Sequence, residues 1–260
     1  MKKVSGIDEA GRGSVFGSLF IVGVTLDHES VDQLVKKGLK DSKLFFGLQG
    51  QKKRAELALK IKEVALELKV KEIPATEIDQ TLYNRPQDNL NYLEIRNIGK
   101  IVANLSSEEI IIDSISTPQY FIKHLIGYLN KMKKSFTINI ELMESNIGSF
   151  RIKNTNSNIK RVKVLEKADR IFPIVSAASC VAKYKRDKHL REIEEKWEIS
   201  PKSLGQGYPN KKDDNVMKFL QQHHEDIKNH RYPFIRYSWS WQPLQQIIKP
   251  HSTTLKKFFD

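Results

Sequence analysis

The stretch GIDEAGRG, residues 6–13, places two acids directly before a turn that contains two glycines and an arginine. Asp8 and Glu9 supply carboxylate oxygens, which are the ligands that Mg²⁺ prefers in proteins. An acid pair at the end of a strand is also compatible with solvated surface residues that have no chemical role. Because a flexible cationic turn follows at once, the pair raises a second hypothesis, a site that holds a metal ion against a phosphate group.

Two further aspartates stand where a strand stops or a helix is about to begin. Asp113 directly follows three isoleucines in the strand-like run 109–113, although aspartate is depleted in strands. Asp169 precedes a predicted helix, and functional side chains converge at strand ends in α/β sheets. Spacing alone leaves Glu166 and Asp187 as competing candidates.

Four carboxylates that meet in this way repel one another and have raised pKa values unless cations neutralise them. Mg²⁺ suits all-oxygen sites and keeps waters that a phosphate substrate can displace. Two such ions about 3.5–4 Å apart activate a water and stabilise the leaving oxygen of an in-line phosphodiester displacement. The pattern therefore predicts two-metal phosphodiester hydrolysis. Adjacent residues of a regular strand point to opposite faces, so Asp8 and Glu9 share one site only if the strand ends there.

Alternation and helical spacing predict the elements that would position these residues. Strands are expected over 3–8, 18–26, 109–113, 137–142 and 162–165. Helices are expected over 29–39, 52–69, 88–105, 118–132 and 213–229, with a long helix that starts at Pro173. The polar stretch 143–160 is expected to be an exposed loop or hairpin. This order of elements predicts an α/β or α+β layered domain with a mixed sheet.

The composition is that of a globular protein, with 39% apolar and 29% charged residues in a chain of 260. No apolar run approaches the roughly 20 residues of a membrane-spanning helix, so no membrane association is expected. The start, MKKVSGIDEAG, lacks the apolar region of a secretory signal, and we expect a cytoplasmic protein. The single cysteine, Cys180, excludes an intrachain disulfide and a cysteine-rich zinc site.

The charge balance is strongly basic, with 44 lysines and arginines against 31 acids and a net charge of +13. Such a surface favours polyanions as partners, namely nucleic acids or an anionic membrane surface. Because the lysines are scattered along the chain, an evenly solvated lysine-rich surface is an equal alternative. The charge supports a nucleic-acid function only when it is joined to a site.

Four blocks of the chain, in order, resemble the motifs of the ribonuclease HII family, the type 2 ribonucleases H. They are GIDEAGRG (6–13), LKDSK (39–43), ADRIFPIVSAASCVAKYKRD (168–187) and GYP (207–209). The segment FIRYSWSW (234–241) resembles the archaeal and eukaryotic branch of the family. Ser14 and Ser18 stand where the family usually has prolines, at turn positions rather than ligand positions.

The resemblance implies a ribonuclease H-like fold and metal-dependent endonucleolytic cleavage of RNA paired with DNA, with Mg²⁺ or Mn²⁺ as the cofactor. It implies cleavage on the 5′ side of a ribonucleotide, including one embedded in duplex DNA, which leaves 3′-hydroxyl and 5′-phosphate ends. Such an enzyme serves to remove primers and misincorporated ribonucleotides. The family's four catalytic and metal-binding acids fall on Asp8, Glu9, Asp113 and Asp169.

The other family motifs acquire nucleic-acid-binding roles through the same resemblance. Gly11 and Gly13 let the backbone approach a sugar closely enough to test for its 2′-hydroxyl group. Arg12 and Lys43 match phosphate contacts, and Tyr208 matches the tyrosine that stacks on the sugar next to the ribonucleotide. Without the resemblance, the glycines indicate a plain tight turn, the lysine a solvated helix start and the tyrosine loop packing.

The tail 252–259, STTLKKFF, contains two adjacent phenylalanines, and burying each is worth roughly 1.5–3 kcal/mol. Leu255, Phe258 and Phe259 share one face of a helical turn and resemble the box through which proteins bind a sliding clamp. Ser252 stands where that box usually has glutamine. The alternative is a final turn that folds back on the protein's own core.

We expect a ribonuclease H-like catalytic domain over 1–195, a small helical extension over 196–248 and a flexible tail over 249–260. We also expect a monomer of the archaeal type. One alternative function is a clamp-recruited protein that binds hybrids with little catalysis, and the four repelling acids argue against it. Another is a different ribonuclease H-like nuclease, such as a junction resolvase, against which the GRG turn and Tyr208 argue.

Overall fold

The computed structural model describes residues 2–39, 47–83, 89–132, 136–153, 159–209 and 214–249. The strands are β1 (Lys3–Ala10), β2 (Leu19–Asp27), β3 (Glu67–Ile73), β4 (Glu109–Asp113), β5 (Thr137–Met143), β6 (Ile147–Lys153) and β7 (Ile159–Leu165). Within the described residues they form one seven-stranded sheet in the order β3-β2-β1-β4-β7-β6-β5. The sheet is mixed, because β1, β4 and β7 run parallel in its centre, whereas β2 pairs antiparallel with β1 and β6 antiparallel with both β5 and β7.

Helices connect and cover the strands. They are α1 (His28–Lys36), α2 (Gly47–Val64), α3 (Ala75–Tyr83), α4 (Leu90–Asn104), α5 (Pro118–Met132), α6 (Pro173–Lys196), α7 (Asp214–Gln222), α8 (His224–Lys228) and α9 (Gln242–Ile248). A three-residue 3-10 turn, Ala168–Arg170, links β7 to α6. In the part of the chain that the structure describes, none of the helices combines the length and the apolar character that crossing a membrane requires.

The central strand β4 is buried because helices cover both faces of the sheet, as parallel strands require. The three isoleucines that precede Asp113 are at most 3% exposed. On one face, Leu57 of α2 and Ala177 of α6 belong to the same buried cluster as the strand residues. On the other face α4 approaches closely, since a Cβ added to Gly23 would lie 2.6 Å from Cγ2 of Ile101.

The start of α6 touches the backbone of β1 at Gly6. A Cβ at this position would lie 2.3 Å from the carbonyl oxygen of Ile174, so no side chain fits there. The small residues Ala177, Ala178 and Ala182 are fully buried on the same helix, as their spacing predicts. This close packing fixes the segment that leads from β7 into α6.

The chain packs as two compact units. The first consists of Met1–Ala10, Phe20–Glu72 and Asn89–Lys185, and it contains nearly all of the sheet. The second consists of the described parts of Gly11–Leu19, Ile73–Asp88 and Arg186–Asp260. Its core is aromatic, with the rings of Phe16 and Phe219 centred 5.3 Å apart. The second unit thus draws together segments that are distant in sequence, and the expected boundaries at 195 and 248 stay predictions.

The expected mixed sheet with flanking helices and a helical C-terminal part is confirmed. One expected helix is wrong in extent, because 52–69 ends as a helix at Val64 and Glu67–Ile73 forms an edge strand. Leu68 and Val70 alternate with lysines, a two-residue period that overrides the helical spacing before it. The stretch 143–160, expected as a loop or hairpin, contains β6, whose Phe150 is fully buried.

Candidate active site

Asp8 and Asp113 meet because their strands are parallel neighbours in register. The pairing of β1 with β4 places Ile7 beside Ile112, and the next residue of each strand is an aspartate. Residues in register on adjacent parallel strands share a face of the sheet. The carboxyl ends of the two strands therefore bring the two carboxylates to one point.

Asp169 reaches the same point from the turn between β7 and α6. Lys167, with φ of 60°, turns the chain sharply, and the N–H of Ala168 donates to Oδ1 of Asp113 at 2.8 Å. The hydroxyl of Ser176, one turn into α6, donates to the carbonyl oxygen of Asp169. The turn is thus tied to β4 on one side and to α6 on the other, which fixes the direction of the Asp169 side chain.

The three aspartates form a compact all-oxygen group. One carboxylate oxygen from each of Asp8, Asp113 and Asp169 lies within 4.8 Å of the other two. Asp8 is 5% exposed and Asp169 3% exposed, whereas Asp113 is half-buried. Carboxylates at this spacing, with part of the site open to solvent, match the ligands of a hard divalent cation that keeps some of its water.

Burial raises the pKa of Asp8 from 3.8 to about 6. The hydroxyl of Ser179, the charge of Lys183 and the N–H of Glu9 lower that pKa, and the neighbouring charge of Asp169 raises it. Asp8 is therefore mostly ionised at neutral pH, but at a cost in desolvation and repulsion that a bound cation offsets. The donor set and its electrostatics both fit a divalent metal ion.

Glu9 is not a member of the group of three. β1 does not end at the acid pair, because Glu9 and Ala10 continue the antiparallel pairing with Ile21 and Phe20. Glu9 is half-buried, and its backbone N–H donates to Oδ1 of Asp8 at 2.8 Å. Its role as a metal ligand stays a prediction. The competing candidates Glu166 and Asp187 also lie outside the group formed by the described residues.

The GRG turn, residues 11–13, belongs to the second unit, and its two glycines differ in how much space a side chain would have. Gly11 has φ of 92°, and a Cβ there would lie 2.8 Å from the carbonyl oxygen of Ser18. The fold itself therefore requires glycine at this position. Gly13 is exposed, and a Cβ there would meet only the ring of Tyr208 at 3.7 Å, an ordinary contact. The fold tolerates a side chain at Gly13.

Tyr208 is held beside this turn by contacts that the motifs alone do not predict. The guanidinium carbon of Arg186 lies 4.3 Å from the centre of the Tyr208 ring, in the geometry of a cation–π contact. Nη2 of Arg186 donates to Oγ of Ser14 at 3.3 Å, and that hydroxyl donates to the carbonyl oxygen of Gly207 at 2.9 Å. The hydroxyl group of Ser14 thus joins the GRG turn to the loop that contains Gly207 and Tyr208.

From the sequence, Arg186 is interpreted as a residue that packs or touches a backbone phosphate, and no separate role is assigned to Arg236. Both are buried in the second unit, where Arg236 donates to carbonyl oxygens of the turn 11–17. The Arg–x–Ser–Trp pattern at 236–239 is the feature of the sequence that could have pointed to Arg236.

Arg12 is half-buried beside Gly13. Four other expected site residues lie outside the described residues, namely Lys43, Leu255, Phe258 and Phe259.

Comparison with known proteins places these features in a family. The family model described as Ribonuclease HII matches residues 5–241. The ribonuclease HII of Methanosphaera stadtmanae is 33% identical over 247 residues, which cover 95% of this chain and 95% of that protein.

Solved structures give the same result for the fold. The ribonuclease H2 of Pyrococcus horikoshii OT3 superposes with a TM-score of 0.68 at 24% identity and covers 95% of this chain and 98% of its own. The ribonuclease HII of Archaeoglobus fulgidus, solved in complex with PCNA, gives 0.67 at 25% identity, with 92% and 96% covered. The expected ribonuclease H-like fold is confirmed.

The matched region contains both the carboxylate group and the GRG turn. The three aspartates are spaced as in an enzyme that hydrolyses a phosphodiester with divalent metal ions. The family match identifies the reaction of the homologous proteins as that of a ribonuclease. The chain therefore belongs to the ribonuclease HII family, metal-dependent endonucleases that act on RNA–DNA hybrids.

Proposed function

We propose that this enzyme cuts RNA–DNA hybrids and also cuts duplex DNA on the 5′ side of a single embedded ribonucleotide, leaving 3′-hydroxyl and 5′-phosphate ends. Its task is then the removal of RNA primers and misincorporated ribonucleotides. The observation that carries the proposal is the exposed Gly13 beside the ring of Tyr208. An embedded ribonucleotide differs from its neighbours by one hydroxyl group, so recognition needs a group that comes close to the sugar.

Gly13 and Tyr208 suit that task for separate reasons. Without a side chain, the backbone of Gly13 can approach the 2′-hydroxyl group to hydrogen-bonding distance. The ring of Tyr208 offers a flat apolar face to the neighbouring sugar, and Arg186 holds that ring in place. Arg12, and Lys43 outside the described residues, supply positive charge for the phosphates of the strand. Gly11 is required by the backbone conformation of the turn itself.

The acids hold the metal ions in this proposal. Asp8, Glu9, Asp113 and Asp169 would bind Mg²⁺ or Mn²⁺, which when bound polarise the scissile phosphate and make water a better nucleophile. Lys183 favours the ionised form of Asp8 and so keeps this ligand available at neutral pH. The N–H of Ala168 holds Asp113 by one oxygen, so the carboxylate keeps one orientation.

A duplex that contains one ribonucleotide tests the proposal. With Mg²⁺ or Mn²⁺, the enzyme should cut once on the 5′ side of that ribonucleotide and leave an end that a DNA polymerase extends, while an all-DNA duplex stays intact. Asp113→Asn should nearly eliminate cleavage with an unchanged thermal midpoint. Glu166→Gln, an exposed acid outside the carboxylate group, is the matched control and should cut normally.

The same assay separates the two alternatives. A protein that only binds hybrids would retain the duplex without cutting it, and a junction-specific nuclease would cut four-way junctions but not the single-ribonucleotide duplex. Either result would overturn the proposal. Full activity of Asp113→Asn would remove that residue from the site.

We also propose that the tail 252–260 recruits the enzyme to the sliding clamp. Leu255, Phe258 and Phe259 supply the apolar plug, and the ribonuclease HII of Archaeoglobus fulgidus forms a complex with PCNA. Ser252 in place of glutamine removes one hydrogen-bonding group of the box, so we expect weaker binding than for a complete box.

Deletion of 252–260 should abolish clamp binding, measured by calorimetry, and leave cleavage of short substrates intact. Replacement of Phe258 and Phe259 by alanine should have the same effect, whereas Lys256→Ala, between the apolar positions, should retain binding. Clamp binding that survives the deletion would show that the tail is not the contact.

A further inference from the structure

The second unit contains a fully buried arginine whose side chain is directed at the backbone of the GRG turn. Arg236 is 0% exposed. Its Nη2 donates to the carbonyl oxygens of Gly11 at 2.7 Å and Gly17 at 3.0 Å, and its Nη1 donates to that of Arg12 at 2.9 Å. Its Nε donates to Gly17 as well, at 3.1 Å. One guanidinium group thus binds three carbonyl oxygens in residues 11–17, the segment that begins with the GRG turn.

These contacts determine which way the turn's amides point. In a trans peptide the C=O of one residue and the N–H of the next lie in one plane and point in opposite directions. Because the carbonyl of Arg12 points at Arg236, the N–H of Gly13 points away from the buried guanidinium. The carbonyl of Gly11 likewise directs the N–H of Arg12.

The surrounding backbone holds Arg236 rigidly. Its own N–H donates to the carbonyl oxygen of Val15 at 2.9 Å, and the N–H of Gly17 donates to that of Phe234 at 2.7 Å. The segment behind it is anchored by Asp79 of α3, which accepts hydrogen bonds from the N–H groups of Tyr237 and Ser238, each at 3.0 Å. The guanidinium therefore has a fixed position from which to hold the turn.

Burying a charge is expensive unless its donors are satisfied, and arginine is suited to this site for a geometric reason. Its planar group carries five donors in a rigid fork, whereas lysine offers three donors from a single point. Three carbonyls spread over residues 11–17 match the fork. Arg236 makes four hydrogen bonds from three separate nitrogens, an arrangement that the single nitrogen of a lysine does not reproduce.

We propose that Arg236 is a positioning residue for ribonucleotide recognition, because it orients the backbone of Gly11, Arg12 and Gly13 so that the Gly13 amide faces the substrate sugar. This inference rests on the proposed role of Gly13 in testing for the 2′-hydroxyl group. Arg236 acts through the turn, and its loss lowers discrimination between ribose and deoxyribose more than it lowers general duplex binding.

The test measures binding rather than cleavage, in full-length protein that carries Asp113→Asn. The affinity for a duplex with one ribonucleotide is divided by the affinity for the same all-DNA duplex. We expect Arg236→Gln to reduce this ratio about tenfold, the worth of roughly one hydrogen bond to the 2′-hydroxyl group. Arg236→Lys, which keeps the charge, should recover part of the ratio and covers the case in which the glutamine variant does not fold.

Leu244→Ala is the matched control, because Leu244 is fully buried in the core of the same unit and its apolar side chain has no hydrogen-bond donor for the turn's carbonyls. It should lower the thermal midpoint and leave the ratio unchanged. Hydrogen exchange of peptides covering 11–17 should accelerate in the Arg236 variants beyond that of Leu244→Ala.

Each outcome decides a different point. A preserved ratio in a folded Arg236 variant overturns the positioning role and leaves the role of Gly13 intact. A parent protein with no preference for the ribonucleotide overturns the proposed function of the turn, and the inference falls with it. A ratio that falls equally in Leu244→Ala shows a general loss of stability and also overturns the inference.

Discussion

Two glycines of one turn meet different requirements, and this separates folding from function at the scale of single residues. Gly11 needs glycine because its φ is 92° and a carbonyl oxygen lies 2.8 Å from where a Cβ would be. Gly13 has ordinary space for a Cβ and faces Tyr208. If glycine is needed at Gly13, the reason lies in the substrate.

Gly13→Ala should fold normally and bind the substrate poorly. The added methyl group would fill the space between the turn and the Tyr208 ring at about 3.7 Å, so the thermal midpoint should stay within a degree or two of the parent. Cleavage of the single-ribonucleotide duplex should fall at least about tenfold in kcat/KM.

Gly11→Ala gives the opposite pattern, with a thermal midpoint lowered by several degrees through backbone strain of about 1–2 kcal/mol or more. The two variants measured side by side check the assignment. Equal losses of stability would show that Gly13 is also structural.

The raised pKa of Asp8 predicts how pH and metal ions affect stability. A carboxyl whose folded pKa is about 6, above its ordinary 3.8, stabilises the protein in its protonated form. That contribution is complete below pH 3.8 and is lost as the pH rises through about 6.

Mn²⁺ binds the ionised carboxylate, so it should raise the thermal midpoint more at pH 7.5 than at pH 5. Scanning fluorimetry of the parent and Asp8→Asn, each with and without Mn²⁺, measures this. The variant should show a small metal effect with little pH dependence between these values. A metal effect in the parent that is equal at both pH values would contradict the assignment of Asp8 as a ligand.

At the scale of elements, a lysine from a strand completes the end of a helix. Nζ of Lys160 in β7 donates to the carbonyl oxygens of Val102, Ala103 and Leu105, at and just beyond the C-terminus of α4. Those carbonyls have no partner within the helix, and a cation at a helix C-terminus is favourable. Lys160 therefore ties α4 to the sheet.

Lys160→Met should keep the apolar stem and lose these hydrogen bonds, at a cost of about 1–3 kcal/mol in the free energy of unfolding by urea. The control is Lys163→Met on the same strand, whose surface ion pair with Glu109 is worth at most about 1 kcal/mol. Equal effects of the two substitutions would rule out a special role for Lys160.

The sequence predicted the elements wherever one periodic pattern stood alone. The three isoleucines before Asp113 identified β4 and the carboxylate at its end. The prediction failed where two patterns overlapped. The helical spacing of the expected helix 52–69 continues through Ala65 to Leu68, although Leu68 already belongs to β3. The acid group was predicted in part, because the strand ends that carry Asp8 and Asp113 follow from the sequence. The continuation of β1 past Glu9 does not, because it depends on the pairing of β1 with β2.

The contacts that hold the turn could not be predicted from the sequence, for a physical reason. Arg186 reaches Ser14 across 172 positions and Arg236 reaches Gly11 across 225, and no local pattern encodes such separations. Both arginines lie in segments that resemble family motifs, but those motifs do not indicate which groups the arginines contact. Their burial, at 5% and 0% exposure, is what distinguishes them.

At the scale of the whole molecule, the net charge of +13 predicts salt-dependent binding to nucleic acid. Each phosphate that the protein neutralises releases counterions and adds about 0.9 to the slope of log affinity against log salt concentration. We expect Arg12→Gln to reduce the magnitude of this slope by about one unit for hybrids and plain duplexes alike.

The control for charge is Lys163→Gln, since Lys163 pairs with Glu109 at the start of β4, whereas the carboxylate group lies at the end of that strand. The slope should not change in this variant, when both are measured by fluorescence anisotropy from 50 to 300 mM KCl. An equal change in both variants would mean that the slope reports only the overall charge.

The fastening of the turn by Arg236 has a consequence for how the enzyme is made. Arg236 follows Gly17 by 219 positions, so at roughly 5–20 residues per second the ribosome synthesises the turn about 10–45 s before its anchor. Throughout that interval the nascent chain carries the GRG motif without the donor that orients it. If the turn tests for the 2′-hydroxyl group as proposed, the ability to distinguish ribose from deoxyribose is acquired late in translation, and a nascent chain interrupted before codon 236 would lack it.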